Sequence, residues 1–466
     1  MMLKTHYCGK LGKDDADKKV TLAGWVQARR DHGKLIFLDL RDREGIVQVV
    51  VNPEISSAAH KIAESLRPEF VVQLSGMVKR RPEKLVNLDL RTGEIEVEAQ
   101  EIKILAESKT LPFEIAGDGY KIKEDLRWQY RYLDLRRERA LKILKKRAGA
   151  MDYIRHFLGK KGFLEIETPI LTKATPEGAR DFLAPSRMHP GKFYALPQSP
   201  QQYKQLLMIA GVEKYFQFPR CLRDEDLRSD RLLEFTQLDI EMAFCEQEDI
   251  LNLTEELIIG LTQDVFKKEI EEIPFPRLTH AEAMEKYHCD KPDLRKDKKG
   301  KKMSFVWVLD FPMFEYHKEE KKWGPQHHPF TAVNPADLEL LAKGEDLGKV
   351  RALQYDLALN GNEVFGGSMR TTDPKILSRV FELLGHKEAE IKERFGHLLE
   401  AFGYGAPPHG GIASGLDRLL MVLLEEKNIR EIVPFPTTGR GTTAVMDAPS
   451  RVDEKQLKEL HLKIAK

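Results

Sequence analysis

The chain has little cysteine, almost no net charge and no long apolar run, and each lack excludes something. Cys8, Cys221, Cys245 and Cys289 are the only four cysteines in 466 residues, and none stands in a C-x-x-C spacing. A disulfide framework or a clustered zinc site is therefore not expected, and the thiols read as those of a reduced, cytoplasmic protein. No apolar stretch approaches the ~20 residues that span a bilayer, so no membrane partner is expected. The N-terminal MMLKTHYCGK has neither the apolar core nor the cleavage pattern of a secretory signal. With 75 basic and 74 acidic residues the net charge is only +1, so any nucleic-acid binding must come from local patches. At 466 residues the chain is too long for one core and should hold at least two domains.

What is present is organised around 218–244, FPRCLRDEDLRSDRLLEFTQLDIEMAF. Its second half, Glu234 to Phe244, alternates apolar and polar residues and predicts a strand with one charged and one buried face. Arg223 to Arg231 reads as the loop joining it to a short strand ending at Phe218. A charged hairpin loop is usually only a solvated turn. Here, though, Glu234, Asp239 and Glu241 continue the charge into the strand, where burial is costly unless a partner satisfies it. Arginines on a loop above a carboxylate floor suit a ligand with polyphosphate at one end and ammonium at the other.

Upstream, Val20–Val26, Leu35–Leu40, Ile46–Val51, Phe70–Val78 and Ile95–Ile104 have strand patterns, with a helical stretch Ser56–Leu66 between the third and fourth. That order is the order of an OB-fold β-barrel, a frequent binder of single-stranded nucleic acid. Residues 106–137, with Pro112, Gly117 and Gly119, read as a hinge. Helices are expected near Glu138–Gly159, Asn252–Lys268, Leu347–Leu359, Lys375–Phe402 and Leu416–Glu426, and a strand at Phe163–Glu167. The fold class is thus α+β and multidomain. A barrel over 1–107 and a hinge over 108–137 precede a larger domain over 138–466 built on an antiparallel sheet flanked by helices.

The 218–244 segment resembles motif 2 of the class II aminoacyl-tRNA synthetases in its aspartyl form. Phe163-Leu-Glu-Ile-Glu-Thr-Pro169 resembles motif 1, and Gly410-Gly-Ile-Ala-Ser-Gly-Leu-Asp-Arg418 resembles motif 3. Thr175–Asp181, Gln198–Lys204, His327–Thr331 and Gly366–Arg370 match the aspartyl signature in order between them. The resemblance implies ATP-dependent activation of L-aspartate as the adenylate, and its transfer to the 3′ end of tRNA(Asp). Whether tRNA(Asn) is charged as well stays open, because His32 resembles the relaxed type and Lys84 the strict type.

The same resemblance assigns roles residue by residue. Arg223 bridges the α-phosphate and the substrate carboxylate. Phe235 and Arg418 sandwich adenine, while Glu225 and Arg231 contact adenine and pyrophosphate. Asp224, Leu232, Gly415, Leu416 and Asp417 complete the ATP site. Lys204 and Arg370 take the β-carboxylate, and Glu177, Ser199, Gln201 and Asp239 surround the α-ammonium. Of His327 and His328, one is expected to touch substrate, since adjacent residues on a strand face opposite ways; the same spacing suits zinc poorly. Asp356 and Glu363, seven apart, match the acids that hold Mg²⁺ from facing strands. In the barrel, Phe37 and Gln48 match residues that meet anticodon bases beside Arg29 and Arg30, and Pro169 matches the proline of a homodimer interface.

Three departures stand out. Residues 277–304 occupy the place where bacterial relatives carry a large inserted domain, and the basic run KPDLRKDKKGKK at 291–302 reads as an exposed connector outside the active site, with a tRNA-contacting loop as the alternative. Leu232-Leu233 replaces the usual Gln-Pro after Arg231. Ser414 replaces a bulky apolar residue, which predicts looser packing behind the ATP site. The rival readings are an asparaginyl enzyme, a tRNA-binding paralogue without catalysis, and a ligase for another acceptor. Lys204 argues against the first, and the set Arg223, Asp356, Glu363 and Arg418 against the second.

Overall fold

The computed structural model describes residues 3–174, 179–227, 230–319 and 321–465. It forms two compact units, Met1–Leu141 and Lys142–Lys466. In the first, strands Lys19–His32 (β1), Leu35–Asp42 (β2), Gly45–Val51 (β3), Val71–Arg80 (β4) and Ile95–Ala106 (β5) close into a barrel in the order β1-β2-β3-β5-β4. Helix Ser57–Ser65 lies between the third and fourth strands, as the sequence order predicts, and the Ser56 side chain caps it by accepting from the Ala59 N–H. Alternation sends Leu22, Val26, Leu38, Leu40, Val49 and Val72 inward to an aliphatic core.

The stretch read as a hinge belongs to this unit. Arg131 and Arg137 donate to the carboxylate of buried Asp134 at 2.6 and 2.8 Å. Arg136 reaches Glu69 at 2.7 Å, which also accepts from Arg41 of β2 at 2.8 Å. These paired, buried charges tie the segment to the barrel wall.

The second unit is built on a nine-stranded sheet. Its main path runs Arg277–Thr279, Phe305–Leu309, Gln354–Leu359, Asn362–Met369, His409–Gly415, Glu234–Ala243, Lys214–Gln217, Leu164–Glu165. The central pairs are antiparallel, and the first and last pairs are parallel. Strand Arg220–Leu222 pairs with Glu234–Thr236 across the predicted hairpin. On one face the helices contribute Ile154, Ile250, Leu257 and Leu420 to a core with Leu238, Ile240, Leu357 and Ile412 of the sheet. The period of two then turns Asp239, Glu241 and Asp356 to the opposite face.

Some elements differ from expectation. Leu347–Leu359 is not a helix. After a 3₁₀ turn at Leu347–Lys349 the chain enters a strand at Gln354–Leu359, deep in the sheet. Tyr355, Leu357 and Leu359 alternate there with Asp356 on the other face, and cross-strand pairing on both sides decides the conformation. Lys375–Phe402 divides at Gly385, in the left-handed region at φ +86°, into helices Pro374–Leu383 and Glu388–Phe402. The strand near Phe163 keeps only Leu164–Glu165. The strand Glu234–Ala243 does not expose its charged face: Asp239 and Glu241 are as buried as Leu238 and Ile240.

Candidate active site

A cavity of about 480 Å³ opens on the charged face of the sheet, within the usual range for a small-ligand site. Arg223 reaches it from the end of strand Arg220–Leu222. Its N–H donates to the Leu233 carbonyl at 2.8 Å, and its guanidinium lies 5.2 Å over the Phe235 ring. The 223–233 loop is therefore closed by its own backbone, which holds a cation beside an aromatic wall. Leu232 also lines the cavity, so the departure after Arg231 leaves an apolar contact there. Arg418 donates to the Glu363 carbonyl at 3.3 Å, which ties the start of helix Leu416–Leu423 to strand Asn362–Met369. Ser414 packs without a gap in its hydrogen bonding: it is fully buried, and its hydroxyl donates to the Val364 carbonyl at 2.7 Å.

The floor is an ion network. Lys204, from helix Gln201–Ile209, donates to Asp239 at 2.6 Å and lies 3.2 Å from Glu241. Arg370 grips both Glu241 oxygens, at 2.9 and 3.0 Å. Although burial opposes it, Arg370 and then Lys204 hold the Glu241 carboxyl down at about 2. Burial pushes Asp239 the other way, above the ordinary carboxylate range, and its Oδ2 has no hydrogen-bond partner. One more N–H donor, such as an ammonium, would satisfy it.

His328 accepts from Arg370 at 2.7 Å through Nε2. Desolvation and then its neighbour His327 hold it well below the ordinary imidazole value, so it is neutral. Both histidines line the cavity, and they follow strand Lys322–Pro325 without belonging to a strand, so the expected alternation of faces does not apply to them. A second chain of bonds runs behind Gln201. His409 donates through Nδ1 to the Pro407 carbonyl at 2.7 Å, which leaves Nε2 to accept from Gln205 at 3.3 Å. Gln205 in turn accepts from the Gln201 amide at 3.0 Å. With its nitrogen committed, Gln201 has its carbonyl oxygen left for the cavity it lines.

Asp356 and Glu363 meet around Gly366. A methyl group there would lie 3.1 Å from Asp356 Oδ1 and 3.5 Å from Glu363 Oε1, so glycine keeps the space between two carboxylates open. Burial and then the Glu363 charge push the Asp356 carboxyl well above its ordinary value. Two repelling oxygen donors facing a vacated space fit a hard cation such as Mg²⁺. Among the described residues no group of three or more His, Cys, Asp or Glu forms a metal cage. Such an ion would complete its shell with phosphate oxygens and water.

Not every predicted site residue reaches the cavity. Glu177 lies outside the described residues. Asp224 bridges to Arg180 instead, its N–H donating to the Arg180 carbonyl at 3.0 Å, and Leu416 is buried in the core. Asp417 borders the cavity, but its carboxylate accepts from Arg147 and, at 3.0 Å, from the Thr236 N–H. Its visible work is to pin motif 3 to motif 2. The sequence reading missed Glu241 as a site residue, although it shares Asp239's face at i+2. It also missed Gln205, His409 and Lys291, and Lys291 belongs to the segment expected to stay outside the site.

In the first unit, Phe37 is half-exposed between inward-facing Ile36 and Leu38, and it stands opposite Arg30 of β1 and Val50 of β3. Arg30 forks onto Asp39 at 2.6 and 2.7 Å, Gln48 donates to Glu96 at 3.1 Å, and Arg29 holds Asp31 at 2.7 Å. His32 and Lys84 are exposed. An outward aromatic beside cations on a barrel wall has the chemistry to stack on a base.

The fold and the site define a two-unit enzyme that activates a small acid with a nucleotide. The family model for class II tRNA synthetases (D, K and N) matches residues 123–439, and that for the OB-fold nucleic acid binding domain matches residues 20–105. The chain belongs to the class II tRNA synthetases. An aspartate–tRNA(Asp/Asn) ligase of a Thermoanaerobacter strain is 43% identical, over 99% of this chain and 98% of that protein. An aspartate–tRNA ligase of Staphylococcus saprophyticus is 40% identical over the whole of both. The first match runs over 585 positions against 466 residues here, so that relative carries segments this chain lacks. Among solved structures, the asparaginyl-tRNA synthetase of Pyrococcus horikoshii with asparaginyl-adenylate superposes with a TM-score of 0.75 at 25% identity, covering 93% of this chain and 98% of that one.

Proposed function

We propose that the protein activates L-aspartate with ATP and transfers the aspartyl group to tRNA(Asp). The observation that carries this is the charge on the cavity floor together with Arg223 on the wall beside it. Among the described residues, Lys204, Arg370 and Arg223 supply three cations against the carboxylates of Asp239 and Glu241. The surplus of one positive charge matches aspartate, with two carboxylates and one ammonium. Asparagine would leave that charge unbalanced in a partly dry site, where imbalance is costly. On binding, the ammonium takes Asp239 Oδ2 and Gln201. Lys204 keeps Asp239 Oδ1 and Glu241 and, with its third N–H, takes the β-carboxylate beside Arg370.

Arg223 then holds the α-carboxylate against the α-phosphate of ATP, stacked on Phe235 under Arg418. A carboxylate oxygen bonds to the α-phosphorus as the bond to pyrophosphate breaks, so the protein's task is positioning and charge neutralisation. Asp356 and Glu363 would hold Mg²⁺, which neutralises the leaving pyrophosphate. ATP–pyrophosphate exchange across the amino acids tests the reading. Exchange with aspartate alone is expected, and exchange with asparagine or with neither overturns it.

The outward Phe37 with Arg29, Arg30 and Gln48 supports anticodon reading by the barrel, and a tRNA substrate fits a cytoplasmic protein. Acceptance of tRNA(Asn) as well is favoured by the likeness to the Thermoanaerobacter aspartate–tRNA(Asp/Asn) ligase, while His32 and Lys84, both exposed, point opposite ways; charging of a tRNA(Asn) transcript tests it. A homodimer is supported by the exposed apolar side chains Leu164, Pro169, Ile170 and Leu171, close together in the chain at motif 1.

A further inference from the structure

We infer that Lys291, carried in by the shortened segment 277–304, is a nucleotide-binding residue that contacts the β- and γ-phosphates of ATP and the pyrophosphate they become. The inference rests on the proposed activation of aspartate by ATP. Lys291 lines the same cavity as Arg223, Glu363 and Arg418, on the side formed by the Gly361–Glu363 turn. That turn joins the two strands that bear Asp356 and Glu363. A cation beside the two metal-binding acids lies where the leaving end of ATP must sit, if adenine stacks on Phe235.

The segment around it is held in place, not draped in solvent. Helix His280–Tyr287 begins with a capping box, in which Thr279 and Glu282 each accept the other's backbone N–H. Pro292 is buried. Asp293 is gripped by Arg295 through two bonds of 3.0 and 2.8 Å, and accepts from the Arg295 N–H at 3.2 Å. The same aspartate packs on the turn: a methyl group on Gly361 would lie 3.5 Å from its Cβ. Gly361 adopts φ +82°, a left-handed conformation that suits the tight turn and costs a glycine nothing. Further on, Met303 exchanges backbone bonds with Glu269 and Glu271 at 2.8 and 2.9 Å. Both ends of the segment are therefore fixed to the second unit, and the backbone beside Lys291 is held by buried Pro292 and by Asp293 while Lys291 itself stays exposed at the cavity.

The run that follows is different in kind. Lys298, Lys299 and Lys301 are exposed and do not line the cavity. The segment thus divides into an anchored half that serves the site and a basic half that faces solvent.

Lys291→Met keeps the length of the side chain and removes its charge. In aspartate-dependent pyrophosphate exchange, the KM for ATP and for pyrophosphate should each rise roughly tenfold or more, as expected for one charge-assisted contact. The KM for aspartate should hold, as should inhibition by an aspartyl-adenylate analogue, which has no β- or γ-phosphate. Lys291→Arg should restore most of the loss, and the triple variant Lys298→Ala, Lys299→Ala, Lys301→Ala should show none of it. Unchanged ATP and pyrophosphate parameters overturn the inference, as does an equal rise in the aspartate KM or weaker analogue inhibition. A thermal melt matching wild type keeps a folding defect apart from a binding one. Absence of exchange in the wild-type protein would sink the activation reading itself, which is a separate outcome.

Discussion

The barrel and the catalytic sheet are both β structures, yet they place charge on opposite sides. In the barrel, the inward strand positions are mostly aliphatic, the buried pair Arg41–Glu69 ties the wall to the segment that follows the strands, and the pair beside Phe37, Arg30–Asp39, lies on the outer wall. In the sheet, strand Glu234–Ala243 faces its helices with Leu238 and Ile240 and buries Asp239 and Glu241 on the other side. An outer pair sits in water and contributes little alone. A buried pair is costly to form and more costly to break, because the surviving charge is left without a partner. The two regions should therefore respond very differently to the loss of a single side chain.

The largest effect should come from the sheet. Lys204→Leu leaves Asp239 and the substrate's β-carboxylate short of a cation in a buried site. A loss of about 3–5 kcal/mol in kcat/KM for aspartate is expected. The KM for ATP should barely move. Normal activation of aspartate by this variant would show that the network is structural only.

Phe37→Ala probes the barrel side of the comparison and should cost about 1–3 kcal/mol of base stacking. Aminoacylation of tRNA(Asp) should fall while pyrophosphate exchange stays at the wild-type rate. If both activities fell together, Phe37 would belong to the barrel's packing and not to its surface.

A third effect is smaller and depends on pH. His409 is fully buried, and burial lowers its pKa below the ordinary 6.5. Below pH 6.5 the unfolded chain takes up a proton that the folded chain refuses, so stability is complete above 6.5 and declines as pH falls. The slope from this group is at most about 1.4 kcal/mol per pH unit. His409→Gln should flatten urea-unfolding stability between pH 6.5 and 5, and an unchanged slope would show that other groups set it.

The sequence made some of this legible and hid the rest, for physical reasons. Period-two alternation in short β-branched runs was enough to order the barrel, because its core is aliphatic but for Phe70 and Cys8. Leu347–Leu359 was misjudged because strand partners on both sides, one of them about fifty residues back, outweigh a local pattern that also fits a helix. Motif register placed Lys204, Asp239 and Arg370 in one cavity. Gln205 and His409 carry no signal of their own, since 204 residues separate two groups that share one hydrogen bond. Lys291 was hidden by its neighbours: seven basic residues in twelve read as a solvated run until the fold divides them.

That division leads to the smallest expected effect. Lys298, Lys299, Lys301 and Lys302 are exposed, and Lys302 meets Glu269 at 3.4 Å on the surface. Charges so placed are screened within about 8–10 Å at moderate salt, so each has little reach. Were they to touch the phosphates of a bound tRNA, each lost contact would release fewer counterions and make affinity less dependent on salt, by up to about 0.9 in the slope of log K against log salt. The fixed ends of the segment argue the other way. Its anchored half already meets the cavity wall, and nothing packs the basic half toward a second ligand. Replacing all four by alanine should therefore change tRNA affinity by less than about threefold, as for surface charges generally. The salt slope, measured by filter binding from low to moderate salt, should stay put. A slope shallower by two or more would instead make this run the electrostatic substitute for what the longer relatives carry, and would put the anchored and the basic halves of one segment to work on two different ligands.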